Sequence, residues 1–145
     1  MRYTIIDLQC EDILWFGLDI NGNVLAFTSG GSGNVPEFVC RSKEETELLS
    51  VFFNKYDAFS TGAHLLIEDD GSPFSSDARN FAQHGITYFD VDIDNDSPSY
   101  VKVSFPDKAI VCSDLPDNIQ KILSDHIIDF EALCTDKIDV PHAYA

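Results

Sequence analysis

The chain has 145 residues, 44% of them hydrophobic, with 25 acidic against nine basic side chains and a formal net charge of −16. That length fits one domain, which buries about two-thirds of its unfolded surface and needs no staple to fold. The charge argues against a phosphate-binding surface, because nucleic-acid affinity comes mainly from Lys and Arg, and it opposes approach to an anionic membrane.

Eleven Phe and five Tyr, spread among many Ile, Leu and Val, argue against disorder. No basic and apolar signal segment is visible, and no apolar run approaches about 18–20 residues. A cytoplasmic protein is expected. Cys10, Cys40, Cys112 and Cys134 are widely and irregularly spaced, with no C-x-x-C, so free thiols are expected rather than disulfides.

Tyr3 to Leu8 is expected as a short first strand. A hairpin follows, with Asn21-Gly22 as its turn, because both residues accept the positive φ of a type I′ turn. A two-residue loop there sets Ile20 against Asn23, Leu18 against Leu25, and Phe16 against Phe27. One face then carries Leu14, Phe16, Leu18, Ile20, Asn23, Leu25 and Phe27 and should lie on the core. The other is mixed, with Trp15 its largest group.

The loop Ser29 to Asn34 is rich in glycine, and Val35 to Val39 is expected to be extended. Ser42 and Glu45 form a capping box, which predicts a helix from Lys43 to about Ala58. Its apolar stripe is Leu48, Leu49, Phe52, Phe53 and Tyr56. A short strand is expected at Ala63 to Glu68. Ser72-Pro73 starts a second helix that Gly85 ends.

Ile86 to Ile93 alternates as a strand, with Thr87, Phe89, Val91 and Ile93 facing one way and Tyr88, Asp90 and Asp92 the other. Tyr100 to Phe105 alternates again, with Val101, Val103 and Phe105 inward. Ala109 to Cys112 reads as a further strand. Asp114-Leu115-Pro116 opens a third helix buried through Ile119, Ile122, Leu123 and Ile127. Ile128 to Cys134 reads equally as helix or strand. The pattern is α+β: a single domain over residues 1–140, an antiparallel sheet of about five or six strands with about three helices, and a frayed tail at 141–145.

Candidate chemistry is sparse. Asp90, Asp92, Asp94 and Asp96 form an acidic row, but a calcium loop also needs Gly at the sixth position and Glu at the twelfth, where Asn95 and Val101 stand. A nuclease's Asp/Glu-x-Lys fails at both Lys102 and Lys108. The glycine loop has no P-loop lysine and leads to Pro36 rather than a helix. The histidines are scattered without metal-ligand spacing, and His126 is expected to be a packed residue. No catalytic group, cofactor or metal is therefore expected. The bland reading of the row is an exposed strand face partly neutralised by Lys102. The alternative is a partner-binding surface, joined by the second cluster Glu68, Asp69 and Asp70, with Trp15 and Tyr88 as aromatic contributors. A small ligand- or metal-binding domain or enzyme, using the glycine loop and the Asp row, is the runner-up reading.

The run WFGLDINGNVLAFTSGGSGNVPEFV (Trp15 to Val39), followed by a capped Glu-rich helix, resembles small bacterial immunity proteins. Those are encoded beside polymorphic or contact-dependent growth-inhibition toxins. The resemblance covers the first third of the chain and carries over no individual site residue. It implies an intracellular antidote that binds a cognate toxin domain and blocks its active site or substrate surface. An acidic antidote suits a basic nuclease or tRNase. Neither nucleic acid nor membrane is expected as a partner.

Overall fold

The computed structural model describes residues 1–92 and 99–144. Among these the α-helices are α1 (Ile5–Cys10), α2 (Glu37–Cys40), α3 (Lys43–Asn54), α4 (Pro73–Gln83) and α5 (Asp117–Leu123). The strands are β1 (Leu14–Leu18), β2 (Val24–Thr28), β3 (Ala63–Leu65), β4 (Thr87–Asp92), β5 (Ser99–Pro106) and β6 (Lys137–Ile138). They form one sheet in the order β1-β2-β4-β5-β3, with β6 also on β5. The fold is α+β in a single domain. The β2–β4 pairing is parallel, so the sheet is mixed rather than wholly antiparallel.

The first element is a helix, not the expected strand. Thr4 Oγ1 accepts from the Asp7 N–H, and the Asp7 carboxylate accepts from the Thr4 N–H, closing a capping box at the start of α1. Two otherwise orphaned N–H groups are satisfied there, and that outweighs the β preference of the two isoleucines. Residues 37–40, expected to be extended, form the short α2.

The hairpin forms one residue out of the expected register: Leu18 faces Val24, Gly17 faces Leu25, Phe16 faces Ala26, and Trp15 faces Phe27. Asp19 causes the shift. Its buried carboxylate accepts from the Asn21 and Asn23 N–H groups at 3.0 and 2.9 Å, and from the Asn23 amide and Ala132 N–H at 3.0 and 2.9 Å. A buried carboxylate needs this many donors, and collecting them widens the loop to residues 19–23. The faces regroup accordingly. Phe16, Leu18, Val24 and Ala26 share one layer, and Trp15, Leu25 and Phe27 share the other.

Both layers are buried. Leu49 and Phe53 of α3, Ala78 and Phe81 of α4, and Ile119 and Leu123 of α5 cover the first. Leu8 of α1, Val39 and Cys40 of α2, and Ile128, Ile138 and Val140 near the C-terminus cover the second. Neither hairpin face is left for solvent, so the mixed face that carries Trp15 is buried as well. The expected strand at 109–112 reduces to an isolated bridge from Val111 to Asn23. The tail, expected to fray, is held through Tyr144: Ala143 N–H donates to Val35 C=O at 3.0 Å, and the Tyr144 hydroxyl donates to Tyr3 C=O at 2.5 Å.

Candidate acidic interface

The acidic row starts on β4, at the carboxyl end of the parallel pair β2–β4. Asp94 and Asp96 lie outside the described residues. Asp90 is half-buried, and Thr28 Oγ1 donates to its Oδ1 at 2.6 Å. The same Thr28 oxygen lies 2.8 Å from the Tyr88 hydroxyl, so the three groups form a chain across β2 and β4. Burial pushes the Asp90 carboxyl above the usual carboxylate range, against the pull of the Thr28 bond, and the nearby charge of Asp12 adds to the rise. Asp92 lies 3.4 Å from the Lys137 ammonium.

Lys102 does not neutralise this row. Its ammonium is buried, donates to Ala132 C=O at 2.5 Å and sits 3.6 Å from Asp136. Lys102 stands opposite Phe89 in the ladder, so it shares Phe89's face rather than that of Asp90. Among the described residues, the cation that meets the row is Lys137, the first residue of β6, and strand alternation could not reveal it.

The second cluster leads into α4, which packs on β4. Phe74, in the first turn of α4, packs edge-on against Tyr88 with ring centroids 5.9 Å apart. The turn that precedes it carries Glu68, Asp69 and Asp70. Asp69 pairs with Arg79 of α4. Asp70 accepts from the Ser72 N–H at 2.9 Å, where Ser72 caps α4, and the Ser72 hydroxyl, together with that N–H, holds its carboxyl below the usual range. Glu68 is exposed. Asp12 and Asp77 add to the assembly, since both carboxylates act electrostatically on the Tyr88 hydroxyl. The sequence reading missed these two, because only the fold brings β1's approach and α4 to the end of β4.

Trp15 and Tyr88 are not surface aromatics. Trp15 is wholly buried, stacked on Phe27 at 4.0 Å, and Tyr88 is buried under α4 with Phe81 5.3 Å away. Both were placed on the less apolar strand faces, but helices cover both faces. They shape the interface from beneath and cannot touch a partner directly.

The glycine loop packs against this same end. Gly30 N–H donates to Asp12 Oδ1 at 2.7 Å. A Cβ on Gly30 would come within 2.7 Å of Val91 Cγ1, and its φ of +60° already favours glycine. Nucleophilic chemistry has little support nearby. Cys40 is buried, and burial pushes its thiol up to about 11. His126 is buried, stacked on Phe38 at 4.6 Å, as a packed histidine. All four cysteines are free. Among the described residues, no three His, Cys, Asp or Glu side chains are placed to share a metal ion. No helix among them is long and apolar enough to cross a membrane.

A second surface feature lies on the other side of α3. Of the predicted stripe, Leu49 and Phe53 are buried, while Leu48 and, outside that stripe, Val51 are 43% and 57% exposed. These two, with half-buried Phe52, line adjoining depressions of about 540 and 640 Å³ between α3 and the segment leading into α5.

Compared with protein-family models, with curated proteins and with solved structures, the chain matches none.

Proposed function

We propose that this chain is an immunity protein that binds a cognate bacterial toxin domain in the cytoplasm and neutralises it. The target is a basic domain, a nuclease or tRNase, whose active site or substrate surface the acidic protein covers. The observation that carries the reading is the gathering of carboxylates at one end of the sheet, on a chain with a net charge of −16. Asp12, Asp77 and Asp90 stand around Tyr88 there, and we assign Asp92, Glu68, Asp69 and Asp70 to the same surface. Such a field speeds encounter with a cationic cleft and opposes nucleic acid. The resemblance of Trp15 to Val39 to immunity proteins points the same way.

The reading predicts stoichiometric binding to the toxin domain encoded beside this gene, with an association rate that falls as salt rises. Mixing the purified domains, with toxin activity and calorimetry as readouts, tests it. Failure to bind or inhibit at any salt concentration overturns it. The runner-up, a ligand- or metal-binding domain or enzyme built on the glycine loop and the Asp row, gains no specific support. The loop is packed against Asp12 and Val91, and the described carboxylates are engaged with Thr28, Arg79, Ser72 and Lys137.

A further inference from the structure

The α3–α5 groove has the chemistry of a docking site. Leu48, Val51 and Phe52 recur at helical spacing along α3, beside its buried Leu49 and Phe53, and Tyr56 follows just past its end. Opposite them the groove is closed by Leu115 and Pro116, and further along by Ile119. Its aromatic floor is already set before anything binds. Phe52 packs edge-on against Phe53 at 5.0 Å and lies 5.7 Å from Tyr56, so little side-chain freedom remains to be lost.

The rim is acidic. Glu47, Asp57 and Asp114 stand around the apolar seam, with Glu44 beside them paired to the N-terminal ammonium, against Lys55 among the lining residues. An apolar centre with a charged border is the anatomy of a specific protein interface. The sign of the border selects the partner, since it repels phosphates and anionic lipid headgroups and attracts Lys and Arg. The seam follows α3, whose 12 residues span about 18 Å. A helix laid alongside it matches that length and places anchors at i, i+3, i+4 and i+7 into the groove.

We propose that the α3–α5 groove docks a basic amphipathic helix of a partner protein, its apolar stripe on Leu48, Val51 and Phe52 and its cations against the rim carboxylates of Glu47, Asp57 and Asp114. This rests on the immunity reading only for the partner's source, the toxin domain.

The test uses the full chain and a fluorescein-labelled peptide of about 18 residues, long enough to hold a helix, with Leu at i, i+3, i+4 and i+7 and Lys elsewhere. A control peptide replaces each Leu by Ser at equal charge. Saturable binding is expected, weaker by about tenfold or more for the control and for V51K, with amide shifts centred on Leu48, Val51 and Asn118. L48S, at a second exposed position, provides the same readout should V51K fail to fold by circular dichroism. Equal binding of the control peptide overturns the proposal. So does wild-type affinity in the folded variants, or shifts centred on Asp90 or on a separate depression lined by Pro36, Phe38 and Ile127. If the toxin domain is neutralised equally by wild type and V51K, the groove assignment falls and the immunity reading stands. If the peptide seats in the groove but no neighbouring domain is bound, the immunity reading falls instead.

Discussion

The Trp15 indole N–H donates to the Tyr100 hydroxyl at 3.0 Å, tying β1 to β5 across the two strands between them. The Tyr100 hydroxyl in turn donates to Asn34 C=O at 2.7 Å, at the end of the glycine loop. One phenol therefore joins the sheet's width to the loop that edges the acidic end. Its ring meets those of Trp15 and Phe27 edge-on, at 5.7 and 5.1 Å.

Tyr100→Phe keeps the ring but strands a buried indole N–H and a carbonyl. The expected loss is about 1–3 kcal/mol, the cost of leaving a buried donor or acceptor unsatisfied. Urea denaturation reads it directly. A loss below about 0.5 kcal/mol would show that the bond adds little beyond ring packing.

Gly30 and Gly33 separate two costs of leaving glycine. Both have positive φ, +60° and +79°. At Gly33 a Cβ meets nothing within 4 Å, whereas at Gly30 it strikes Val91. Gly33→Ala should cost about 1 kcal/mol from backbone strain alone. Gly30→Ala should cost clearly more and shift the Val91 and Asp12 amides in an NMR spectrum. Equal losses would refute the packed-loop description.

Asp90 contributes to the pH dependence of stability. Its carboxyl is raised above the ordinary value of 3.8 because burial disfavours the charge. The folded state therefore holds the proton more tightly than the unfolded chain. The contribution favours folding below 3.8 and is lost as pH rises through the raised value. Asp90→Asn keeps an acceptor for Thr28 and removes the buried charge. It should raise the melting temperature at pH 7, with the gain vanishing in acid. A lower melting temperature at pH 7 would mean that the charged Thr28 bond outweighs desolvation.

His126 acts in the opposite sense. Its Nδ1 lies 3.2 Å from Phe16 C=O, and burial lowers its affinity for a proton below the ordinary 6.5. A base harder to protonate when folded leaves stability intact above 6.5 and erodes it as pH falls through the lowered value. Stability curves between pH 7 and 5 should therefore decline more steeply in wild type than in His126→Gln. Parallel curves would remove His126 as the cause.

Local chemistry made part of this fold legible. Ser42 and Ser72-Pro73 announce α3 and α4 because a cap is a contact between residues three apart. The Thr4–Asp7 box was equally local, but the apolar run Tyr3 to Leu8 drew the reading toward a strand. The hairpin register was hidden because Asp19 finds its last donor at Ala132, far along the chain. The parallel β2–β4 pairing was hidden as well, since α2, α3, β3 and α4 intervene between those strands. At the acidic end, residue type identified Asp90 and Asp69, while their partners Thr28 and Arg79 needed the fold. Trp15 and Tyr88 were misplaced because alternation alone cannot tell how many faces of a sheet are covered.

The stretch from His126 to Phe130 bears on how this protein can associate at all. Leu18 N–H donates to His126 C=O, Ile128 N–H to Leu18 C=O, and Ile20 N–H to Phe130 C=O. The outer margin of β1 is thus already occupied along its far half. The opposite margin of the sheet is shared by the very short β3 and β6. Among the described residues, an incoming strand finds no long open ladder on either side, which disfavours fibril growth and strand-by-strand capture. Any partner, and any second copy, must be met through side chains, which keeps recognition dependent on residue identity rather than on the common backbone.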